Sequence, residues 1–187
     1  MKEESYEPGS AKAILVFFDY TRSAFLFIII LLLIYYLVIQ VFIVKGVSME
    51  PNFIDGELIV IDRLTYYFRK PSRGDDIVFI FPGTANQKYI KRIIGLPGEK
   101  IVIKDGIVFI DGKKLREDYL PDNFKTMGEV EVLLRNNQYF VLGDNRDLSN
   151  DSRIWGPLAG ENIIGRAVAV IFPFKNTKIV EKEGYNI

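Results

Sequence analysis

The pattern of apolar and polar positions divides the chain into two unlike parts. Residues 24–44 form an uninterrupted run without a charge, in which Gln40 is the only strongly polar side chain. A helix needs about 20 such residues to cross a bilayer core of about 30 Å, and this run is long enough. Because it is apolar on every side, we favour a membrane span over a buried core helix. The predicted organisation is a tail over 1–23, a transmembrane signal-anchor helix over 24–44 and one domain over 45–187.

A cleavable signal peptide is the alternative to an anchor, because it also carries an apolar run near the N-terminus. Its apolar region spans about 7–15 residues and ends at a small-residue cleavage site. The run here is longer, and the following Lys45-Gly46-Val47-Ser48-Met49 lacks such a site. We therefore expect an uncleaved anchor. The shorter apolar stretch 13–18, separated from it by Asp19 and Arg22, is expected at the membrane interface.

Residues 45–187 show short apolar runs separated by turn-forming residues, without long helical periodicity. These runs are rich in Val, Ile, Tyr and Phe, which favour strands. The predicted strands cover 57–64, 76–81, 87–94, 101–103, 107–110, 139–142 and 167–172. Asp105-Gly106 and Asp111-Gly112 predict two tight hairpin turns and hence a β-meander. The expected fold class is mostly β, with a single β-rich domain of hairpins preceded by one N-terminal transmembrane helix.

The chain has no histidine and no cysteine among its 187 residues, which narrows the available chemistry. A Ser-His-Asp triad, a Cys-His pair, a disulfide and an ordinary zinc site are all excluded. The 24 basic and 24 acidic residues balance, which argues against a general nucleic-acid binder. A serine nucleophile would need another base, and lysine is a recognised one. No metal or organic cofactor is implied.

Lysine is an effective base at neutral pH only if its pKa falls from about 10.4 toward 7 or 8, which requires an apolar or cationic environment. We therefore look for the lysine on the apolar face of a strand. In the predicted strand 87–94, alternation places Tyr89, Lys91 and Ile93 on one side. Lys91 thus lies between an aromatic and a β-branched neighbour. The ordinary alternative is a lysine that extends to solvent from a half-buried strand.

The candidate nucleophile is Ser48 in Gly46-Val47-Ser48-Met49-Glu50-Pro51, a turn-forming segment that can leave backbone N–H groups free for an oxyanion. Taken alone, a serine before proline more commonly caps a turn. Ser48 follows closely on the apolar run. A reaction at this serine would therefore take place at the membrane surface.

The segment 143–153 combines acids, arginines and hydroxyls directly after a predicted strand. The alternating Asp147, Ser149 and Asp151 are similar to a calcium loop, but the glycine expected at the sixth position and the acid expected at the twelfth are missing. Two interpretations stay open. The segment is either a solvated polar turn or a buried scaffold whose ion pairs hold Ser149 against the candidate lysine.

Together these segments resemble the type I signal peptidases, the membrane-anchored serine proteases that remove signal peptides from exported proteins. GVSMEP is similar to the family's nucleophile box, SRGDDIVFIFP to its strand box, YIKRIIGLPGE to its lysine box and GDNRDLSNDSRIWGP to its final signature. The boxes follow the family's order over nearly all of residues 42–172, behind an N-terminal anchor. One box would be a weak match, whereas four in order make coincidence improbable.

The resemblance implies a Ser-Lys dyad, in which Ser48 is the nucleophile, Lys91 is the general base and Ser149 orients the lysine amine. The Ser48 N–H would donate to the oxyanion. Positions that match the family's supporting scaffold are Arg92, Asp144, Asp151 and Arg153. Positions that match its substrate pockets, which accept small side chains at the first and third residues before the cut, are Phe42, Val44, Gly46, Met49, Tyr89 and Ile90. If Phe42 and Val44 line these pockets, the span ends nearer Ile39 than Val44.

The sequence departs from the family's pattern near these boxes. Asn52 and Phe53 stand where threonine and leucine are frequent, Asp76 occupies a usually apolar strand position, and Glu99 stands where aspartate is common. Gly46 occupies the place of a hydroxyl residue that, in some members, donates a second hydrogen bond to the oxyanion. These departures are the motive for one alternative, a catalytically silent homologue that binds signal peptides.

The compact domain is similar to the small bacterial members, and a chain without histidine differs from the endoplasmic-reticulum relatives. The resemblance therefore implies the bacterial cytoplasmic membrane, a single span and an extracytoplasmic catalytic domain. Lys2, Lys12 and Arg22 modestly favour a cytoplasmic tail. The implied partners are preprotein signal peptides and the lipid bilayer, without nucleic acid, while contact with the secretion machinery and the oligomeric state stay open. A Ser-Lys self-cleaving regulator is the third hypothesis, and the hydrophobic anchor in place of a DNA-binding head disfavours it.

Overall fold

The computed structural model describes residues 9–84, 87–121, 124–182 and 184–185, without the side chains of 9–11 and 34–39. The chain divides into two compact units, Met1–Val38 and Ile39–Ile187. The first unit contains one helix, α1, which spans Gly9–Val38. Within the described residues, its stretch Lys12–Leu33 is the one helical segment long and apolar enough to cross a membrane by length and composition.

The helix differs from the sequence prediction at both ends. It runs without a break through Asp19 and Arg22, so the stretch 13–18 belongs to the same helix. It ends at Val38, and the last residues of the predicted 24–44 span form strand β1 (Ile39–Ile43) and the start of the following loop. Strand β1 pairs antiparallel with β2 (Leu58–Asp62). This pairing decides the conformation of residues 39–43, although their apolar composition alone predicted a helix. The helix thus ends next to Ile39, which is where we expected the span to end if Phe42 and Val44 line the substrate pockets.

The second unit is mostly β, as predicted. The other strands are β3 (Asp76–Ile80), β4 (Lys88–Gly95), β5 (Lys100–Lys104), β6 (Ile107–Ile110), β7 (Lys113–Lys114), β8 (Val130–Leu133), β9 (Gln138–Leu142), β10 (Leu158–Ala159), β11 (Ile163–Phe172) and β12 (Lys178–Ile179). The larger sheet has the order β1-β2-β11-β3-β4-β9-β10, with β12 beside β11, and the smaller sheet has the order β7-β6-β5-β8. The short helices are α2 (Thr65–Phe68) and α3 (Ser152–Trp155), and single 3-10 turns span Gly160–Asn162 and Phe174–Asn176.

The predicted β-meander is confirmed as β5, β6 and β7. Asp105 and Gly106 have φ of 54° and 80°, and Asp111 and Gly112 have φ of 48° and 79°. Two successive positive φ values are what the tight hairpin turn requires, which explains the Asp-Gly pairs. All seven predicted strands are present. Strand β8, which the sequence analysis did not identify, completes the smaller sheet on the other edge of β5.

The core beneath the larger sheet fixes the loop that follows β1. A cluster of buried apolar side chains joins β2, β3, β4 and β11 to that loop. Its members are Val44, Met49, Phe53, Ile59, Ile61, Val78, Ile90, Ala167 and Val170. Two further clusters lie between the smaller sheet and β9, and around Ile77, Phe79, Ile93 and Val141. The β1–β2 loop is therefore held by packing rather than left as a free connection.

Candidate active site

Ser48 lies in the loop between β1 and β2, and buried neighbours hold its backbone. Met49 and Phe53 are 0% and 1% exposed, and the Phe53 N–H donates to the Met49 carbonyl at 2.9 Å. Ser48 itself is half-buried. Across the described residues no acceptor engages the Ser48 N–H. The loop thus presents a hydroxyl beside a backbone N–H that can stabilise a developing negative charge by donating a hydrogen bond to it.

Gly46 does not supply a second donor to this site. Its φ is +86°, a conformation that favours glycine, and its N–H donates to Asp55 Oδ1 at 2.6 Å. A hydroxyl side chain at this position would require a strained backbone. The conformation of this loop therefore explains why position 46 is a glycine and not a hydroxyl residue.

Lys91 on β4 meets Ser48 across the site. Its Nζ lies 2.6 Å from Ser48 Oγ and also donates to the Ile90 carbonyl at 2.9 Å. The Lys91 side chain is buried, with 3% of the residue exposed. As its strand position predicted, the Tyr89 ring is a neighbour, with its centroid 5.7 Å from Nζ. The alternative of a lysine that extends to solvent is therefore wrong.

Burial lowers the pKa of Lys91 to about 8, because the ammonium form loses its hydration. Asp151 and Asp144 oppose this shift by attracting the cation, but more weakly than burial. Both carboxylates are already paired with arginines, which limits their pull on the amine. A substantial fraction of Lys91 is thus neutral near pH 8 and has a lone pair to accept a proton.

Arg92, the next residue on β4, joins the strand to the segment 143–153. Its Nε and Nη2 donate to Asp144 at 2.9 and 2.8 Å, and Nη2 lies 3.2 Å from Asp76. Asp76 is the register partner of Arg92 on β3, so an acid in this usually apolar position balances a buried arginine. Asn52 donates to the same Asp144 carboxylate at 2.8 Å. Two departures from the family's pattern therefore belong to one buried ion-pair network.

A second pair holds the other half of the segment. Arg153 donates to Asp151 through Nε at 2.8 Å and Nη2 at 2.9 Å, and Asp151 also accepts the Gly143 N–H at 3.1 Å. The Asn145 N–H donates to the Ser48 carbonyl at 3.1 Å. The interpretation as a solvated turn is wrong, because Asp144 and Asp151 are both 0% exposed. The oxygens of both carboxylates are occupied by these donors, which also argues against a calcium loop.

Ser149 lies at the site without the predicted hydrogen bond to Lys91. Its Oγ is buried and has no hydrogen-bond partner among the residues that the structure describes. The glycine at position 143 allows Ser149 and the Ser48 backbone to pack closely around it, because a Cβ at this position would overlap both Ser149 Oγ and the Ser48 carbonyl. The orienting role of Ser149 stays a prediction, and its unpaired hydroxyl lies close to the Ser48 backbone.

Arg146 is a supporting residue that the sequence analysis did not identify. It is 2% exposed and donates to the Gly143 carbonyl at 3.0 Å, to Glu117 at 2.5 and 3.1 Å, to Tyr119 Oη at 2.8 Å and to Thr126 Oγ1. Except for Gly143, these partners come from the segment between β7 and β8, far away in sequence. The only sequence signal was an arginine next to Asp147 in a segment already rich in charge.

A groove of about 920 Å³ runs past Ser48 and Lys91 between β1 and β4. Five of the six predicted pocket positions line it, namely Phe42, Val44, Gly46, Tyr89 and Ile90. Met49 does not line it, because this side chain points into the core and is fully buried. Ile59 and Val78 also contribute apolar surface that the sequence analysis did not assign. The groove therefore combines apolar walls with the candidate nucleophile and the candidate base.

Comparisons with known proteins agree on one family. The family model described as signal peptidase, peptidase S26, matches residues 17–172. A probable signal peptidase I-1 from Synechocystis sp. is 39% identical over 135 residues, covering 67% of this chain and 67% of that protein. Signal peptidase I T from Bacillus subtilis is 33% identical over 187 residues, covering 95% and 96%. A crystal structure of a signal peptidase I from Enterococcus faecalis is 33% identical and covers 52% of this chain and 97% of its own, with a TM-score of 0.47.

Proposed function

The chain belongs to the signal peptidase, peptidase S26, family, and on that premise we propose that it is a membrane-anchored serine endopeptidase that uses a Ser48–Lys91 dyad. Its substrates are the N-terminal signal peptides of exported preproteins. The observation that carries the proposal is the 2.6 Å separation between Ser48 Oγ and a buried Lys91 Nζ whose pKa is lowered to about 8. A protein that only binds signal peptides has no need of a buried lysine beside a serine.

The proposed reaction begins with neutral Lys91. Its lone pair accepts the Ser48 hydroxyl proton as Oγ attacks the scissile carbonyl carbon, and the Ser48 N–H donates to the resulting oxyanion. When the tetrahedral intermediate collapses, the Lys91 ammonium returns the proton to the leaving amine. An ester to Ser48 remains. Lys91 then takes a proton from the attacking water, and Ser48 recovers its hydrogen when the ester is released.

The groove supports an extended substrate segment before the cut. Strand β1 ends the larger sheet and, within the described residues, has its one pairing with β2, so its other edge can pair with a peptide. Along such a peptide, alternate side chains point to the same side. Apolar walls from Phe42, Val44 and Ile90 would then favour small side chains at the first and third residues before the cut.

Helix α1 is the proposed single-span anchor, with the catalytic unit on the extracytoplasmic face of a bacterial cytoplasmic membrane. Its length and apolar composition support the anchor. The chain has no cysteine, so single cysteines at Ser5 and Lys113 can test the orientation with a membrane-impermeant maleimide on intact cells. The expected result is labelling of the cysteine at 113 alone, whereas labelling of the cysteine at 5 alone would show the opposite orientation.

The decisive test is cleavage of a purified preprotein by the full-length protein in lipid, followed by N-terminal sequencing of the product. We expect one cut after a small residue, lost in Ser48→Ala and in Lys91→Met. The matched control is Lys113→Met, an exposed lysine on the smaller sheet, which should cleave like the wild type. Cleavage that survives Ser48→Ala would refute the dyad. An intact preprotein with a folded wild type would favour the silent receptor, and cleavage of the chain itself in preference to any substrate would favour the self-cleaving regulator.

A further inference from the structure

The groove beside Ser48 is lined by cations and lacks anions. Besides Lys91, its described lining includes Lys45 and Lys88, and none of the lining residues that the structure describes is Asp or Glu. Asp55 accepts the Gly46 N–H but does not itself line the groove. The chain as a whole balances its charges. The positive groove is therefore a local feature and not a reflection of overall composition.

Lys88 is the cation best placed to meet a substrate. It is exposed at the start of β4, and its Nζ lies 4.9 Å from the centre of the Phe42 ring on β1. This contact holds the ammonium over the groove wall instead of leaving it free in solvent. None of the ion pairs between described residues involves Lys88. An anion from outside would therefore meet little competition.

Distance along the strand indicates which part of a substrate meets this cation. Lys88 precedes Lys91 by three residues on β4, a rise of about 10 Å. An extended peptide rises by the same amount per residue, so the residue three positions beyond the first one, which is the fourth from the scissile bond, lies beside Lys88, and the fifth follows it. They lie before the cut if, as proposed above, Phe42 and Val44 line the pockets for residues on that side.

We propose that Lys88 is a specificity residue that favours preproteins with an acidic side chain four or five residues before the cut. The proposal rests on the proposed function, since it assigns a substrate class to the same groove. The interaction is a partly exposed ion pair. We therefore expect an effect of about three- to fivefold on kcat/KM at low ionic strength, and a smaller effect in high salt.

The test compares full-length wild type and variants in lipid on matched fluorogenic peptides that carry Glu, Gln or Lys at the fourth or the fifth position before the cut. For the wild type we expect kcat/KM to decrease from the Glu peptide to the Gln peptide to the Lys peptide. Lys88→Glu should reverse this order, and Lys88→Gln should cleave the three peptides with equal kcat/KM. Lys113→Glu is the matched control outside the groove and should keep the wild-type order. Fluorescence of Trp155, the one tryptophan of the chain, verifies that each variant is folded.

The outcomes separate this inference from the function on which it rests. If the wild type cuts the Gln peptide but ranks the three peptides equally, or if Lys88→Glu keeps the wild-type order, the inference is overturned. An order that survives Lys88→Gln but is lost in Lys45→Gln would overturn it in favour of Lys45. If no peptide is cut, the proposed function fails, and fluorescence anisotropy of the uncut peptides still tests whether Lys88 ranks them by charge.

Discussion

Replacing Lys91 with methionine should make the protein more stable at neutral pH while abolishing its activity. Lys91 is buried, and burial lowers its pKa from 10.5 to about 8. In the unfolded chain the amine recovers its ordinary pKa, so the native state binds the proton more weakly. Below pH 8 the native state must carry a poorly hydrated ammonium. Methionine has a similar length and needs no hydration, so the variant avoids this cost.

The size of the effect follows from the two pKa values. At about 1.36 kcal/mol per unit, protonated Lys91 costs the native state about 3 kcal/mol at pH 7. The unfolded state binds more protons between pH 8 and 10.5, so wild-type stability rises with pH across that window. The advantage of Lys91→Met should therefore shrink by about 2 kcal/mol between pH 7 and 9.5. The lost hydrogen bonds to Ser48 and the Ile90 carbonyl reduce the advantage by an amount that does not change with pH.

The assay is urea unfolding in mild detergent, followed by Trp155 fluorescence. Trp155 packs against Phe79 and Phe81, each with ring centroids 5.9 Å away, so its emission reports the packing of the larger sheet. The quantity measured is the difference in unfolding free energy between wild type and Lys91→Met at each pH. Lys113→Met should show no such pH trend. A difference between wild type and Lys91→Met that stays constant from pH 7 to 9.5 would refute the argument that burial lowers the pKa of Lys91.

Three further predictions concern the same site. The kcat/KM for an uncharged peptide should rise with pH through an apparent pKa of about 8, because only neutral Lys91 accepts the proton; a rate that falls across that range would contradict this. Gly143→Ala should lower kcat/KM about 100-fold, since its Cβ overlaps Ser149 Oγ and the Ser48 carbonyl, and near-normal activity would show that the site can adjust. Arg146→Met should lower the unfolding free energy by about 3–5 kcal/mol, because the Glu117 carboxylate would lose its arginine partner. A double variant that also carries Glu117→Gln should recover part of that loss.

Local sequence signals predicted most of the fold. Asp-Gly pairs identified the two hairpin turns, because few other residues accept two successive positive φ values. Strand β1 was missed because Ile39–Ile43 continues an apolar helix without a change of composition, and only its pairing with β2 decides its conformation. Strand β8 was missed because Val130–Leu133 is short and half-exposed, and because its neighbour in the sheet, β5, lies far away in the sequence.

The candidate site shows the same division between local and distant information. The strand alternation around Lys91 placed it beside Tyr89 but left open whether it is buried or extends to solvent, and only the packing of the folded strand decides this. The resemblance to a family supplied the pairing of Lys91 with Ser48, since no local pattern joins positions so far apart. Arg146 was missed because its partners Glu117 and Thr126 lie in a different segment, and a charged residue in a charged loop gives no sign of its burial. Met49 was misplaced because its position in the nucleophile box does not reveal which way its side chain points.

The hydrogen bond from the Asn145 N–H to the Ser48 carbonyl has a consequence for when the protein becomes active. It joins the β1–β2 loop to the loop that follows β9, and the long chain between these loops must be closed before they meet. Contacts between segments so far apart in the chain are slow to form, because the entropy of closing the intervening loop must first be overcome. Ser48 and Lys91 are both synthesised well before residues 143–153, yet they remain without their buried scaffold until that segment docks. On the proposed function, catalysis therefore has to wait until the segment 143–153 docks, and a growing chain that has not yet reached this segment is inert.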